Sequence, residues 1–221
     1  MDLTAVIPVR EGSRRVKDKN IRLFANRSLL EIKIDQLKRL QEVKEIVVSS
    51  DSEKMLSIAE KMGVTAERRP VEYCDETSKS FNEVVAFIAE NQIHTDNILW
   101  APCVCPLVKD DNIKKGIDIF KGILEGHIDA DSVVSAKLIK EYIYDNNGPV
   151  NFSIEDHVPS QNLPSWHIIV NGFFIARRKD MIDWRFVYGK KPYLFEINKV
   201  EAIDIDDESD FRIAEMFMTG E

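Results

Sequence analysis

The sequence predicts an α/β domain, a doubly wound and mostly parallel sheet with helices on both faces. Two observations carry this. Short apolar, β-branched runs alternate with segments whose apolar residues recur at helical spacing, and the connections between them are short. The 221 residues, 44% hydrophobic and 31% charged, suffice for a single domain (1–221) with a sizeable core and do not have the composition of a disordered chain. Such alternation implies βαβ units with right-handed crossovers.

The elements follow in order. Residues 3–9 are short, apolar and β-branched, as a buried strand requires. Ser28 is placed to cap a helix running to about residue 41, on which Leu29, Leu30, Ile34, Leu37 and Leu40 share a face. Residues 45–49 form a second strand, turned by Ser50, Asp51 and Ser52 into a helix over 53–62 that Gly63 closes. A third strand spans 64–67, a helix 81–91, a fourth strand 97–101, a helix 110–124 and a fifth strand 132–136. The rhythm then changes. From 138 to 167 the chain is aromatic and turn-rich (Tyr142, Tyr144, Gly148, Pro149, Pro159, Pro164, Trp166), which reads as a surface arm or hairpin excursion. Strand character returns over 168–176, broken at Asn171 and Gly172, and again over 192–196; a helix over 209–218 closes the chain.

A formal net charge of −8 argues against nucleic acid as the main partner. The chain runs directly into a strand with no basic-then-apolar leader, and no apolar run reaches the length of a membrane span, so a cytoplasmic protein without a membrane partner is expected. Of the 3 cysteines, Cys103 and Cys105 are too close to pair with each other, and the odd count implies free, buried thiols. No further Cys or His at ligand spacing supports zinc there. His94, His127, His157 and His167 stand in no nucleophile–base constellation, which disfavours covalent catalysis.

Positive charge is local. Directly behind the first strand come cations at 10, 14, 15, 17 and 19 around Gly12 and Ser13. A buried strand ending in a cationic, donor-rich loop is how an α/β sheet presents phosphate-binding groups, although the same composition also suits a solvated basic loop. The glycine patterns of the common phosphate loops are absent. Near the end, Asp204 and Asp206 alternate around Ile205, which directs both carboxylates to one side. That arrangement suits a hard cation, and equally suits the acidic start of the last helix, where Asp207 and Asp210 look like caps.

Five landmarks now coincide in order along the chain: Val9 to Asn20; Val47-Val48-Ser49-Ser50-Asp51; Arg69-Pro70 followed by Asp75 and Ser78; Asn171-Gly172-Phe173-Phe174; and Asp204-Ile205-Asp206. In these the chain resembles the acylneuraminate cytidylyltransferases, the family that activates sialic acid and related nonulosonic acids. The resemblance implies a Rossmann-like nucleotidyltransferase fold whose 138–167 arm makes a homodimer, and a Mg²⁺-dependent transfer of CMP from CTP to the anomeric hydroxyl of an acidic sugar. It implies that Arg10 and Lys19 act on the triphosphate with Gly12, Ser13 and Arg14, and that Asn20 meets ribose or base. Ser78 and Ser80 are then candidates for cytosine, Asp204 and Asp206 for the metal. For the acceptor it points to Asn171, Phe173 and Phe174, one ring in the core and the other on the pocket wall. Trp100 reads as core.

The departures concern the acceptor. The family places Gln and Arg where Ala101 and Val108 stand, and Ser160-Gln161-Asn162 lacks the basic residue usual in the arm. Lys137, behind the fifth strand, is the nominated replacement for the sugar carboxylate's partner. A different sugar or sugar-phosphate acceptor, and a non-catalytic nucleotide-binding homologue, remain the alternatives.

Overall fold

The computed structural model describes residues 1–13, 15–75 and 77–220. Strand β1 (Leu3–Pro8) is followed by a two-residue ladder, β2 (Leu23–Phe24) with β3 (Arg27–Ser28), and by helix α1 (Leu29–Lys38). Next come β4 (Glu45–Ser50), α2 (Glu53–Lys61), β5 (Thr65–Arg68), α3 (Phe81–Asn91), β6 (Asn97–Trp100), α4 (Asp110–Leu124) and β7 (Ser132–Ile139). The last third holds the small pair β8 (Tyr144–Asp145) and β9 (Gly148–Pro149), then β10 (Trp166–Arg177), α5 (Arg178–Trp184), β11 (Pro192–Glu196) and α6 (Glu208–Thr219).

One seven-stranded sheet, in the order β11-β7-β10-β6-β1-β4-β5, organises the molecule. Strands β6, β1, β4 and β5 are mutually parallel, as are β11 and β7, whereas β10 runs antiparallel to both its neighbours. The reason is the arm. Trp166 pairs with Ile139, so residues 140–165 are the long connection of a hairpin, and a hairpin returns its second strand antiparallel. The arm exposes Tyr144 and Ile154 and is tied back where Lys140 donates to the Leu163 carbonyl.

Helices cover both faces. On one, α1, α2, α4 and α6 pack Leu30, Ile34, Leu37, Ile113, Ile117 and Phe211 over the sheet; on the other, α3 and α5 bring Val85, Ile88 and Met181 against Val6, Val47 and Ala176. Helix α5 went unpredicted because its seven residues are too short to show a periodic apolar face.

Strand β10 carries the irregularity that its Asn171 and Gly172 announced. Ile169 faces Ala136 and Phe174 faces Val134, so β10 takes five steps where β7 takes two. The bulge is held by Ser135, whose hydroxyl lies 2.7 Å from the Val170 carbonyl and 3.0 Å from the Phe173 amide. Its effect is to decide which of the two alternating phenylalanines faces which side. Phe173 is fully buried against α4 at Gly116, where a Cβ would approach its ring to 2.5 Å; Phe174 turns to the opposite face.

Ser28 caps α1 reciprocally: its Oγ accepts from the Glu31 amide and the Glu31 carboxylate accepts from the Ser28 amide. Removing this buried cap by Ser28→Ala costs about 1 kcal/mol, so thermal denaturation should move down by roughly 2–4 °C. An unchanged midpoint means that the cap does not hold the start of α1.

Candidate active site

A cleft of about 610 Å³ opens at the carboxyl ends of β1 and β6. Its position follows from the parallel strands, because loops leaving neighbouring strand ends converge there. Val9 ends its first wall, and the Val9 carbonyl accepts from Arg69 Nη2 at 2.7 Å while Arg69 Nε reaches Cys74 Sγ at 2.9 Å. Arg69 is 3% exposed, so it acts as an internal brace behind the cleft.

The basic loop is shaped by its own backbone and by Asp51. The Glu11 amide donates to Asp51 Oδ1 at 3.0 Å, which explains the acid at the end of the second apolar strand. Gly12 has φ +77°, a conformation open to glycine at little cost, and Asp18 (φ 54°) closes the loop by accepting from the Ile21 and Arg22 amides. Arg10, Ser13, Lys19 and Asn20 all line the cleft. Arg10 Nη1 contacts the Glu11 carbonyl at 3.3 Å, and Asn20 is mostly buried. Gly12 is exposed at the loop's outer edge, and Arg14 lies outside the described residues.

Lys19 joins this loop to the end of the chain. Its Nζ donates to the Ile205 carbonyl at 2.5 Å, and burial pulls its pKa below the ordinary lysine value against the opposing pull of Asp204 and Asp206. Ile205 is fully buried, and its amide donates to the Val104 carbonyl at 2.9 Å. Asp204 accepts from Asn171 Nδ2 at 2.7 Å, and burial, reinforced by Asp206, raises its pKa. Asp206 pairs with exposed Arg15 at 2.7 Å. Helix capping is done by others: Asp207 accepts from the Ser209 and Asp210 amides, and Asp210 accepts from the Asp206 and Asp207 amides. Asp204 and Asp206 are therefore not the caps of α6. Two carboxylates, with no third His, Cys, Asp or Glu completing a ligand cluster among the described residues, fit a cation that takes its other ligands from phosphate and water.

The opposite end of the cleft is aromatic. Rings run in contact from Trp100 to Phe81 (centroids 6.1 Å apart), Phe186 (5.6 Å), Tyr188 (4.9 Å) and Phe174 (6.0 Å). Phe186 and Tyr188 enter because Arg185, at φ 53°, ends α5 and turns the chain toward the cleft, where its carbonyl accepts from Asn82. Neither ring was singled out in the sequence: they belong to a loop, and only the fold brings them to Phe81. Trp100 is both core and wall, 2% exposed.

Three expectations need correction. Phe173 is a core residue, for the reason given above, and Phe174 alone of the pair lines the cleft. Lys137 pairs with Ile168, one step from the Ala136–Ile169 pair on the cleft side, so strand alternation places it on the other face of the sheet. Ser78 is exposed with its hydroxyl turned to Asp75 at 2.7 Å and does not line the cleft. Ser80 does line it, and also caps α3 through Glu83.

Comparison with known proteins places the chain by family and by fold. The cytidylyltransferase family model matches residues 4–121. A pseudaminic acid cytidylyltransferase from Campylobacter jejuni is 23% identical over 96% of this chain and 94% of its own length. A CMP-N,N'-diacetyllegionaminic acid synthase from Legionella pneumophila is 27% identical, covering 99% and 97%. An N-acylneuraminate cytidylyltransferase from Escherichia coli is 23% identical over 96% of this chain but only 51% of its own length. Among solved structures, a CMP:2-keto-3-deoxy-manno-octonic acid synthetase complexed with CTP superposes with a TM-score of 0.72 at 11% identity, covering 100% of this chain and 99% of that one. The 4-diphosphocytidyl-2C-methyl-D-erythritol synthase of Anaerococcus prevotii gives 0.66 at 16% identity, covering 98% of each. At these identities the structures speak for the fold alone; the family match speaks for the chemistry, and the chain belongs to the cytidylyltransferase family of nucleotidyltransferase enzymes.

Proposed function

We propose that this protein transfers CMP from CTP to the anomeric hydroxyl of a sialic-acid-like nonulosonic acid, with release of pyrophosphate and one proton. The observation that carries the reading is the convergence of the basic loop on Asp204 and Asp206 through the Lys19–Ile205 bond, with Asn171 reaching Asp204 from β10. Charge of both signs then meets at one place, as a polyphosphate with its cation requires. Relatives named for pseudaminic and diacetyllegionaminic acids, aligned over nearly their whole lengths, support the acceptor class.

Arg10, Ser13 and Lys19 bind and orient the triphosphate, neutralising charge that grows on the departing pyrophosphate. Asp204 and Asp206 would hold Mg²⁺, whose chemistry is to bind phosphate oxygens and draw off their charge. Asn20 and Ser80 face the nucleoside. The aromatic end holds the sugar ring and excludes water, so that the anomeric oxygen stands in line with the α-phosphorus as its bond to the bridging oxygen breaks. The exposed aromatic and aliphatic residues of the 138–167 arm pair with a second copy, making a homodimer.

Pyrophosphate release measured over a panel of nucleotides and acidic sugars should be fastest with CTP and a nonulosonic acid; a clear preference for a neutral sugar phosphate overturns the acceptor reading. Arg10→Ala and Lys19→Ala should each lower kcat/KM by about a hundredfold with the fold intact, the scale of losing a preorganised charge contact to the transition state. Wild-type kcat/KM in both variants overturns the phosphate loop. Asp204→Asn should raise the Mg²⁺ concentration for half-maximal activity with little change in the melting temperature. A lowered melting temperature with unchanged Mg²⁺ dependence would show that Asp204 is structural.

A further inference from the structure

Beneath the cleft lies a buried lysine that neither the basic loop nor the carboxylate pair uses. Lys33 sits on α1 among Leu29, Leu30, Ile34 and Leu37 and is 1% exposed. Among the described residues its one hydrogen bond runs from Nζ to Gln36 Oε1, 2.7 Å. Burial pulls its pKa down, with the Cys103 and Cys105 thiols and Asp110 as its titratable neighbours. A polar amine terminus at such a position costs solvation that an apolar side chain of the same length would not. Its retention calls for a structural consequence.

That consequence is the support of residues 101–108. Gln36, itself buried, donates from Nε2 to the Val108 carbonyl at 2.6 Å and to Asp110 Oδ1 at 3.1 Å. Arg39 grips the same Asp110 from solvent, Nε to Oδ2 at 2.5 Å. The far end of the 101–108 segment is thus fixed to α1. Midway along it the Val104 carbonyl accepts the Ile205 amide, the residue between Asp204 and Asp206. On the other flank Glu201, 2% exposed, accepts from the Lys109 amide at 3.2 Å and from Asn112 and Asn198 at 2.6 Å each, holding the chain that leads to Asp204 against the same helix end. Cys103 lies between this support and the cleft. Its thiol is pushed up to about 12 by burial, so it is packing material and not a nucleophile.

We propose that Lys33 and Gln36 are positioning residues, a buried polar strut that sets the height of the 101–108 segment and, through Val104 and Ile205, the placement of Asp204 and Asp206 relative to Lys19. The strut rests on the reading that this carboxylate pair holds the divalent cation, and nothing about it requires contact with the substrate. Its signature is a weakened cation site in a protein that is no less stable.

Lys33→Met keeps the length and the apolar stem and removes the amine. The melting temperature without ligand should be unchanged or higher. The Mg²⁺ concentration for half-maximal CTP binding, read by calorimetry, should rise by about tenfold, the lower end of what loss of an outer support costs a metal site. The KM for the acceptor should stay as it is. Gln36→Leu should act in the same direction, and it decides the matter alone if Lys33→Met does not fold. Wild-type Mg²⁺ dependence of CTP binding in the variants overturns the strut. Asp204→Asn, titrated in parallel, separates the two readings. If it shifts the dependence and the strut variants do not, the strut alone is wrong; if it shifts nothing, the metal reading fails and the strut with it.

Discussion

The constraint on which the site depends is the bond from Lys19 to the Ile205 carbonyl, which joins the first loop of the chain to its last. Neither partner could hold its place alone. A cationic loop repels itself, and Asp204 and Asp206 repel each other across Ile205. Bringing the two together in a half-buried place offsets both, and the directions of the pKa shifts record the balance: burial works against the charged form of Lys19 and of Asp204, and each opposes that effect in the other. The charges of this arrangement are thus fixed by contacts within the chain.

Strand β10 is what brings the remaining groups to this centre. Because it returns from the arm antiparallel and bulged, Asn171 leaves the plane of the ladder for Asp204 while Phe174 faces the aromatic end of the cleft. A regular strand continuing from Ile169 would have turned Phe174 to the opposite face of the sheet. Ser135 makes the bulge stable by satisfying the backbone groups that the ladder leaves unpaired at Val170 and Phe173.

Most of the fold was legible because it is carried by local pattern. The strands of the parallel half read as β-branched runs and the helices as periodic ones, and the loop that lines the cleft stood out as cations concentrated behind a strand. The caps of the last helix were legible too, since Asp207 and Asp210 stand at cap spacing, whereas Asp204 and Asp206 suited either a cation or the helix start until the fold set them apart from the caps. What failed was what tertiary structure decides. The face of Lys137 depends on pairing register, which strand alternation leaves undetermined until a partner is known. Phe173 and Phe174 were separable in principle but not assignable, since the bulge decides which of them meets Gly116. Lys33 drew no attention in the sequence, because local pattern does not mark which lysine of a helix the fold will bury, and it is 1% exposed.

The two ends of the cleft are built in different ways, and this bears on how such a site changes its substrate. The charged end draws on one short loop and one short acidic segment, each placed by backbone hydrogen bonds, so substitution there disturbs several contacts at once. The aromatic end is assembled from α3, β6, β10 and the 186–188 loop, one or two rings from each, in edge and stacked contacts that tolerate exchange of one ring for another. Ala101 and Val108 both lie buried in the segment between these ends. Neither lines the cleft, so these small apolar residues fill space beneath it and leave the Val104–Ile205 bond intact. Exchange of a ring at the aromatic end can therefore proceed without moving the carboxylates that flank Ile205.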